Sequence, residues 1–206
     1  MLNKNSLRKI ILSRLRRMKK LSSFDERNRL INQRVQNELQ TRRGIWAAFM
    51  PLSVEPNLTE TYQKFAGQIQ FAFPKVVGKD IHFYLGAKDT EFQKGQHGIL
   101  EPDHKNSLRV FASDFAGMLI PGVAFDSEGN RLGRGRAFYD RFLKTCAAKK
   151  IGVCFQTQFI KEKIQTEPHD EKIELLITEG FRLKIAPMRS FTQGFDLSGF
   201  SERNYI

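Results

Sequence analysis

The sequence lacks several features that would assign it directly to a class of protein. Only Cys146 and Cys154 are cysteines among 206 residues, without C-x-x-C spacing, so neither a disulfide framework nor a zinc site is expected. No apolar run approaches the roughly 18 residues of a membrane span, and the basic N-terminus lacks the apolar core of a signal peptide. The chain is therefore predicted to be soluble and cytoplasmic, with both cysteines packed as small hydrophobic residues.

Two common nucleotide-binding motifs are also absent. The chain contains neither G-x-x-x-x-G-K-[ST] nor G-x-G-x-x-G, which argues against an ordinary P-loop or Rossmann site. His82, His97 and His104 show no metal-ligand spacing. The fourth histidine, His169, is interpreted as a neighbour of Asp170 and not as a base.

The composition is that of a globular protein with a strong positive charge. Hydrophobic residues make up 40% of the chain, 18 residues are Phe, and the formal net charge is +12. A chain of this length can bury about 70% of its unfolded surface, enough for a full core. The charge suits nucleic acid, a membrane surface or a polyanionic small molecule, and does not by itself choose among them.

Helical and strand-like patterns alternate along the chain. Helices are predicted over residues 5–20, from a capping box of Ser23 and Glu26 to about Gln40, and over residues 58–67. Strands are predicted at residues 44–52, 69–77, 81–85, 117–120, 151–156 and 175–178. This order predicts a single three-layer α/β domain, residues 1–185, with a mainly parallel central sheet flanked by helices. Residues 86–106 are interpreted as a loop-rich flap, and residues 186–206 as a C-terminal extension.

The most informative stretch is residues 119–143, LIPGVAFDSEGNRLGRGRAFYDRFL. An apolar run leads into a loop with three glycines and then into a helix predicted from Arg136 to Ala147. A strand, a glycine-rich turn and a helix N-terminus together favour anion binding, with phosphate as the expected guest. A solvated basic hairpin is the alternative reading of the composition. The loop and the helix carry four arginines, Arg131, Arg134, Arg136 and Arg141.

The same stretch resembles the signature of the 5-formyltetrahydrofolate cyclo-ligase family, P-G-[VL]-[AG]-F-D-x-x-G-x-R-L-G-x-G-x-G-[YF]-Y-D. Other segments agree in order along roughly residues 3–180. They are KNSLR with Lys4 and Arg8, FMPLSVEP ending near Glu55, FPKV at residues 73–76, HGILEP at residues 97–102 and PHD at residues 168–170. This chain departs from the family pattern at three positions. Ala137 replaces a usual glycine, Phe138 replaces a frequent Tyr, and Glu174 replaces a frequent Asp. The Ala137 methyl group is expected to narrow the pocket or redirect its loop.

The resemblance implies a reaction that needs both ATP and Mg²⁺. In it 5-formyltetrahydrofolate is cyclised to 5,10-methenyltetrahydrofolate, with release of ADP and phosphate. Phosphorylation of the formyl oxygen creates a leaving group, and nitrogen 10 of the folate attacks the activated carbon. Such chemistry asks the protein mainly for positioning and for neutralisation of phosphate charge. A polyglutamate tail on the substrate is compatible with this interpretation, and the enzyme is expected to be a monomer that binds neither nucleic acid nor membrane.

The resemblance also implies site residues. Asp140 and Asp170 correspond to magnesium ligands, which suits an ion that usually takes one or two protein carboxylates. Catalytic roles fall to Arg134, Arg136 and Tyr139. The nucleotide-binding residues are Lys4, Arg8, Arg131, Leu132, Gly133, Arg134, Gly135, Arg136, Ala137, Phe138 and Tyr139. The folate-binding residues are Met50, Glu55, Arg134, Gly135, Arg136, Ala137 and Phe138.

For three residues the sequence alone also allows a structural interpretation. Asp140 could pair with Arg136 or Lys144 along the helix, Glu55 could be a strand-end surface charge, and Arg131 a surface arginine. Two other functions also stay open. One is a degenerate family member that binds folate or nucleotide without turnover, which is motivated by Ala137 and Phe138. The other is a nucleic-acid-binding protein, which is motivated by the net charge.

Overall fold

The computed structural model describes residues 3–86, 92–95, 100–102, 107–167 and 170–186. Helices and strands alternate as the sequence predicts. The helices are α1 (Lys4–Met18), α2 (Phe24–Leu39), α3 (Thr59–Phe65) and α4 (Phe138–Leu143). The strands are β1 (Gly44–Ala47), β2 (Ile69–Val77), β3 (Asp80–Leu85), β4 (Phe92–Lys94), β5 (Leu100–Pro102), β6 (Arg109–Val110), β7 (Phe115–Ile120), β8 (Ala124–Phe125), β9 (Arg131–Leu132), β10 (Lys149–Val153), β11 (Leu175–Ile177) and β12 (Arg182–Lys184).

Eight of the described strands form one sheet in the order β12-β11-β10-β7-β1-β2-β3-β6. The five from β11 to β2 are parallel to their neighbours, whereas β12, β3 and β6 pair antiparallel at the two edges. Two hairpins, β4–β5 and β8–β9, lie outside this sheet. The predicted α/β class with a mainly parallel sheet is confirmed.

Side chains alternate between the two faces of the sheet and build a core on each. On one face, Trp46 and Leu119 pack with apolar residues of α1, α2 and α3. On the other face, Ala47 and Met118 pack with Leu143 of α4 and with Cys146 and Cys154. Both cysteines are buried and free, and burial raises the pKa of each thiol. The two cysteines therefore pack as hydrophobic residues, as predicted.

Several element boundaries differ from the predictions. The Ser23–Glu26 capping box is wrong, because the Ser23 side chain makes no capping hydrogen bond and Glu26 pairs with Arg29 at 2.7 Å. Strand β1 ends at Ala47, five residues early, and α4 covers only six residues of the predicted twelve. Helix α1 buries Ile11, Leu15 and Met18, whereas Ile10 is 37% exposed.

Within the described ranges, no helix combines the length and the apolar character that a bilayer crossing requires. The predicted flap at residues 86–106 is described only in part, as the β4–β5 hairpin. The predicted extension lies outside the described residues except for Ala186.

Candidate functional site

A buried carboxylate fixes the backbone conformation of the segment between β7 and α4. Asp126, only 1% exposed, accepts hydrogen bonds from the backbone N–H groups of Glu128, Asn130 and Ile164 at 2.9, 3.0 and 2.8 Å. These bonds shape the β8–β9 turn, where Gly129 has φ +81° and an added Cβ would lie 2.6 Å from a backbone oxygen. Asp126 and Gly129 of the sequence signature thus have structural roles. They fix where the following loop begins.

We call residues 133–137 the glycine loop. Gly135 has φ +100°, and Ala137 has φ 54°, which makes it the one non-glycine residue in the described chain with a positive φ. Left-handed backbone costs an L-residue about 1–2 kcal/mol. Ala137 thus stands at a conformationally demanding position, and residues of the loop line two cavities.

A cavity of about 270 Å³, here the large pocket, opens at the carboxyl edge of the sheet. The segments that follow β1 and β7 reach it, as topology predicts for an open α/β sheet. The segment after β10 does not line it but supports it, because Gln158 donates to the Gly122 carbonyl at 2.6 Å. The wall is mostly apolar. Its residues are Phe49, Met50, Leu52, Glu55, Pro74, Val76, Ile81, Glu101, Pro121, Gly122, Arg131, Gly133, Arg134, Arg136, Ala137, Phe138, Tyr139 and Asp140.

An ion pair joins two predicted site residues in the large pocket. Arg134 Nη2 donates to Glu55 Oε1 at 2.9 Å, and the other Glu55 oxygen accepts from the Leu52 backbone N–H at 2.9 Å. Glu55 is 9% exposed, so the reading of it as a surface charge is wrong. The side chain of Arg134 is 42% exposed and so remains accessible from the pocket mouth.

Tyr139 brings a buried hydroxyl to the same pocket. Its Oη has no hydrogen-bond partner in the described part of the protein. Burial, with a smaller contribution from the Glu55 charge, raises the pKa of Tyr139. The hydroxyl is therefore a protonated, unsatisfied donor in a residue that lines the large pocket.

A second cavity of about 120 Å³, the small pocket, adjoins the glycine loop and is strongly charged. Lys4 Nζ pairs with Asp170 and with Glu167, each at 2.9 Å. Partial burial lowers the pKa of Lys4, but the hydrogen bonds to Asp170 and Glu167 outweigh that effect and raise it overall. The lysine is thus held as a cation. The lining residues are Lys4, Arg8, Arg131, Leu132, Gly133, Gly135, Ala137, Asp140, Glu167 and Asp170.

Arg131 and Asp140 form the wall that the two pockets share. Arg131 Nη2 donates to Asp140 Oδ1, and the guanidinium lies 5.4 Å from the centre of the Tyr139 ring. Arg131 is 7% exposed, so it is not a surface arginine. Pairing of Asp140 with Arg136 or Lys144 is also wrong, because its partner comes from β9.

Arg8 ties α1 to the glycine loop. Its Nε donates to the Gly133 carbonyl at 2.8 Å, and an added Cβ at Gly135 would lie 3.5 Å from its Cζ. Arg136 is exposed and lines the mouth of the large pocket. Arg141 instead donates to the backbone of Lys79 and lines neither pocket. Among these three arginines, Arg8 of α1 and Arg136 of the glycine loop line a pocket, whereas Arg141 of the short helix α4 does not.

Sequence reasoning missed two acids of the site. Glu101 lies inside the quoted HGILEP segment, and Glu167 lies next to PHD, yet neither had a predicted role. Of the histidines, His82 lies in β3, whereas His97, His104 and His169 fall outside the described residues. Among the residues that are described, no three His, Cys, Asp or Glu side chains form a group that could hold a metal ion by itself.

Fold and site define a class: α/β proteins in which one loop separates an apolar pocket from a charged one. Comparison with known proteins makes the class specific. The model of the 5-formyltetrahydrofolate cyclo-ligase family matches residues 1–179, and the chain belongs to that family.

Relatives agree over most of the chain. A 5-formyltetrahydrofolate cyclo-ligase of Mycoplasma genitalium is 27% identical over 188 residues, which cover 87% of this chain and 100% of the relative. The solved 5,10-methenyltetrahydrofolate synthetase of Aquifex aeolicus has a TM-score of 0.75 and 29% identity, covering 94% of this chain and 98% of its own. A synthetase from Mycoplasma pneumoniae, at 24% identity and a TM-score of 0.69, shares the fold over 86% of this chain and 99% of its own.

Proposed function

We propose that the protein catalyses the cyclisation of 5-formyltetrahydrofolate to 5,10-methenyltetrahydrofolate, with consumption of ATP and a requirement for Mg²⁺. The observation that carries this proposal is the pair of adjoining pockets, which share Arg131, Gly133, Ala137 and Asp140. A phosphoryl group must pass from one ligand to the other, so the two ligands must meet at one wall. Family membership and the names of the relatives support the same reaction.

The large pocket suits the folate. Its apolar wall can bury a flat heteroaromatic ring, and a few polar groups can fix its orientation. Met50 and Phe138 contribute to the wall, and Glu55 supplies a carboxylate to ring N–H groups. For this contact Arg134 must loosen its ion pair with Glu55, and it is then free to turn toward the transferred phosphoryl group.

The small pocket suits the phosphates of ATP. Lys4 and Arg8 bring positive charge from α1, and the glycine loop brings backbone N–H groups. Charge-assisted hydrogen bonds of this kind are the strong contacts to phosphate oxygens. Arg131 and Leu132 hold the base of the loop, and both are buried.

The acids of the small pocket fit a bound Mg²⁺. Asp140 and Asp170 offer hard oxygen ligands beside the proposed phosphate site, and Mg²⁺ is typically held by one or two carboxylates together with substrate phosphates and waters. When bound, the ion would neutralise phosphate charge. In its absence the two carboxylates are balanced by Arg131 and Lys4.

The chain supplies positioning and charge stabilisation for the reaction. Arg134 and Arg136, on the loop between the pockets, stabilise the negative charge of the phosphoryl group in transfer. The Tyr139 hydroxyl donates a hydrogen bond to the reacting end of the folate. Once the formyl oxygen carries phosphate, it leaves as phosphate when nitrogen 10 bonds to the formyl carbon and loses its proton.

The reaction can be measured directly by ultraviolet absorbance of the methenyl product. Purified protein with 5-formyltetrahydrofolate and MgATP is expected to form product, and omission of either ATP or Mg²⁺ should stop it. Formation of product without ATP, or none in the complete mixture, would contradict the proposal. We also propose that the active enzyme is a cytoplasmic monomer.

A degenerate binder is the second candidate, because Ala137 adopts left-handed backbone at the shared wall. Under this candidate the wild-type protein binds folate or ATP without turnover. The double variant Ala137→Gly, Phe138→Tyr would then gain activity. Turnover by the wild-type protein would exclude this candidate.

A further inference from the structure

Glu101 is a buried carboxylate of the large pocket that the proposed reaction has not used. It lies in β5, is 6% exposed and lines the cavity. Its Oε1 accepts one hydrogen bond, from the Val76 backbone N–H at 3.3 Å. No Lys, Arg or His of the described chain forms an ion pair with it. A carboxylate can accept about four hydrogen bonds, so most of its capacity is open.

The other buried carboxylates are satisfied within the protein. Glu55 is bound by Arg134 and the Leu52 N–H, and Asp140 by Arg131. Asp126 accepts from three backbone N–H groups and a side-chain amide, and Glu179 from Arg27 and a backbone N–H. Buried charges are normally paired or hydrogen-bonded in this way. Glu101 is the exception among the buried carboxylates that the structure describes.

The position of Glu101 is built into the fold. The β4–β5 hairpin packs on β2, where Phe92 meets Phe73 edge-to-face at 5.2 Å between ring centres. Val76, whose N–H holds the carboxylate, lines the pocket together with Pro74 and Ile81. The carboxylate is therefore fixed in an apolar part of the wall. A ligand that covers this part must offer hydrogen-bond donors within an otherwise apolar ring.

We propose that Glu101 is a substrate-binding residue that accepts hydrogen bonds from N–H groups of the pterin ring, in addition to Glu55. This inference rests on the proposed function. A pterin carries an exocyclic amine beside a ring N–H, and two neighbouring donors match the two oxygens of one carboxylate. A site that has such an unpaired acceptor discriminates strongly against a ring without those donors. Glu101 would thus determine specificity for the 2-amino group.

The test is the variant Glu101→Gln, which keeps the shape but loses the charge and one acceptor. We expect the Kd and the KM for 5-formyltetrahydrofolate to rise roughly 10–100-fold, since charged hydrogen bonds contribute that much. The KM for ATP should not change. Because the carboxylate is poorly compensated without ligand, the Tm of the free variant should not fall. Glu60→Gln, an exposed acid on α3, is the matched control and should behave as wild type.

Binding is measured by calorimetry alongside turnover, so that two failures can be told apart. If wild-type protein binds the folate but forms no product, the proposed reaction fails while the role of Glu101 is still measured by Kd. An unchanged Kd in Glu101→Gln, or a lower Tm with no change in Kd, would overturn the inference and leave Glu101 as a structural acid. Absence of folate binding by wild type would overturn both.

Discussion

The large and small pockets share a wall but differ in how their polar groups are balanced. In the small pocket, Lys4 is paired with both Glu167 and Asp170. In the large pocket, the Tyr139 hydroxyl and one oxygen of Glu101 have no partner within the described protein. A charged ligand that binds in the small pocket would therefore replace ion pairs that already exist within the protein. The large pocket instead holds open polar groups in an apolar wall, which fix the orientation of a ring.

The largest effect is expected at the loop that both pockets share. Arg134→Ala removes a cation from the point where we propose that the phosphoryl group passes, so kcat should fall about 10²–10³-fold. Steady-state kinetics with both substrates measures it. The matched control is Arg141→Ala, which removes an exposed arginine five residues after Arg136 that lines neither pocket. Equal losses of kcat in the two variants would show that the glycine loop has no specific role in the reaction.

A variant of the small pocket should separate the two ligands. Lys4→Ala removes one of the two cations that α1 contributes, so the KM for ATP should rise roughly 10–100-fold. The KM for the folate should stay within a few-fold. Lys9→Ala, an exposed lysine of the same helix, serves as the control. If Lys4→Ala weakened the folate instead, the assignment of the pockets would be reversed.

A buried acid outside both pockets should affect stability and not turnover. Glu38 pairs with Arg42, Lys149 and Arg182 at 2.7, 2.9 and 2.6 Å. Burial raises the pKa of Glu38, but the bonds to these cations outweigh it and lower the pKa from 4.5 to about 2. Glu38→Gln should cost about 1–3 kcal/mol of unfolding free energy at neutral pH.

The pH dependence of that cost has a fixed sign. Because the folded pKa of Glu38 is lowered, its stabilisation is present above about pH 4.5 and is lost as pH falls through about 2. Urea unfolding of both proteins at several pH values should show the difference narrowing on acidification. A difference that widened, or a changed kcat at neutral pH, would argue against a purely structural acid.

The smallest effect is expected at Ala137. Ala137→Gly removes the strain of left-handed backbone, so the protein should gain about 1 kcal/mol, or about 2–4 °C in Tm for a chain of this size. Ala137→Val should lose stability, since a β-branched residue is less tolerant of positive φ. Thermal unfolding checks both. A lower Tm for the glycine variant would show that the methyl group packs favourably.

Local patterns were sufficient for much of the fold. The apolar runs at residues 69–77 and 81–85 are strands, and the three-glycine stretch forms a turn and a loop at the sheet edge. These signals work because backbone conformation and side-chain periodicity depend on neighbours in sequence. Helix boundaries were less predictable. Ser23 has backbone angles that do not suit a cap, and Glu26 has Arg29 as a competing partner.

The full set of site residues depends on contacts between residues that are far apart in sequence, and sequence spacing does not reveal such contacts. Asp140 pairs with Arg131, nine residues earlier, and not with the neighbours one helical turn away. Glu101 reaches the large pocket only because the β4–β5 hairpin packs on β2. Glu167 reaches the small pocket by pairing with Lys4, 163 residues before it. Such contacts follow from tertiary packing, so the sequence motif located the site without its full set of acids.

We propose that the two pockets hold two different ligands at once. Calorimetric titration of a non-hydrolysable MgATP analogue into protein saturated with 5-formyltetrahydrofolate tests it most directly. We predict one further equivalent of binding, which is weakened roughly 10–100-fold in Lys4→Ala and unchanged in Lys9→Ala. Absence of binding to the folate-saturated protein, with normal binding to the free protein, would show that the ligands compete for one pocket and would contradict the claim.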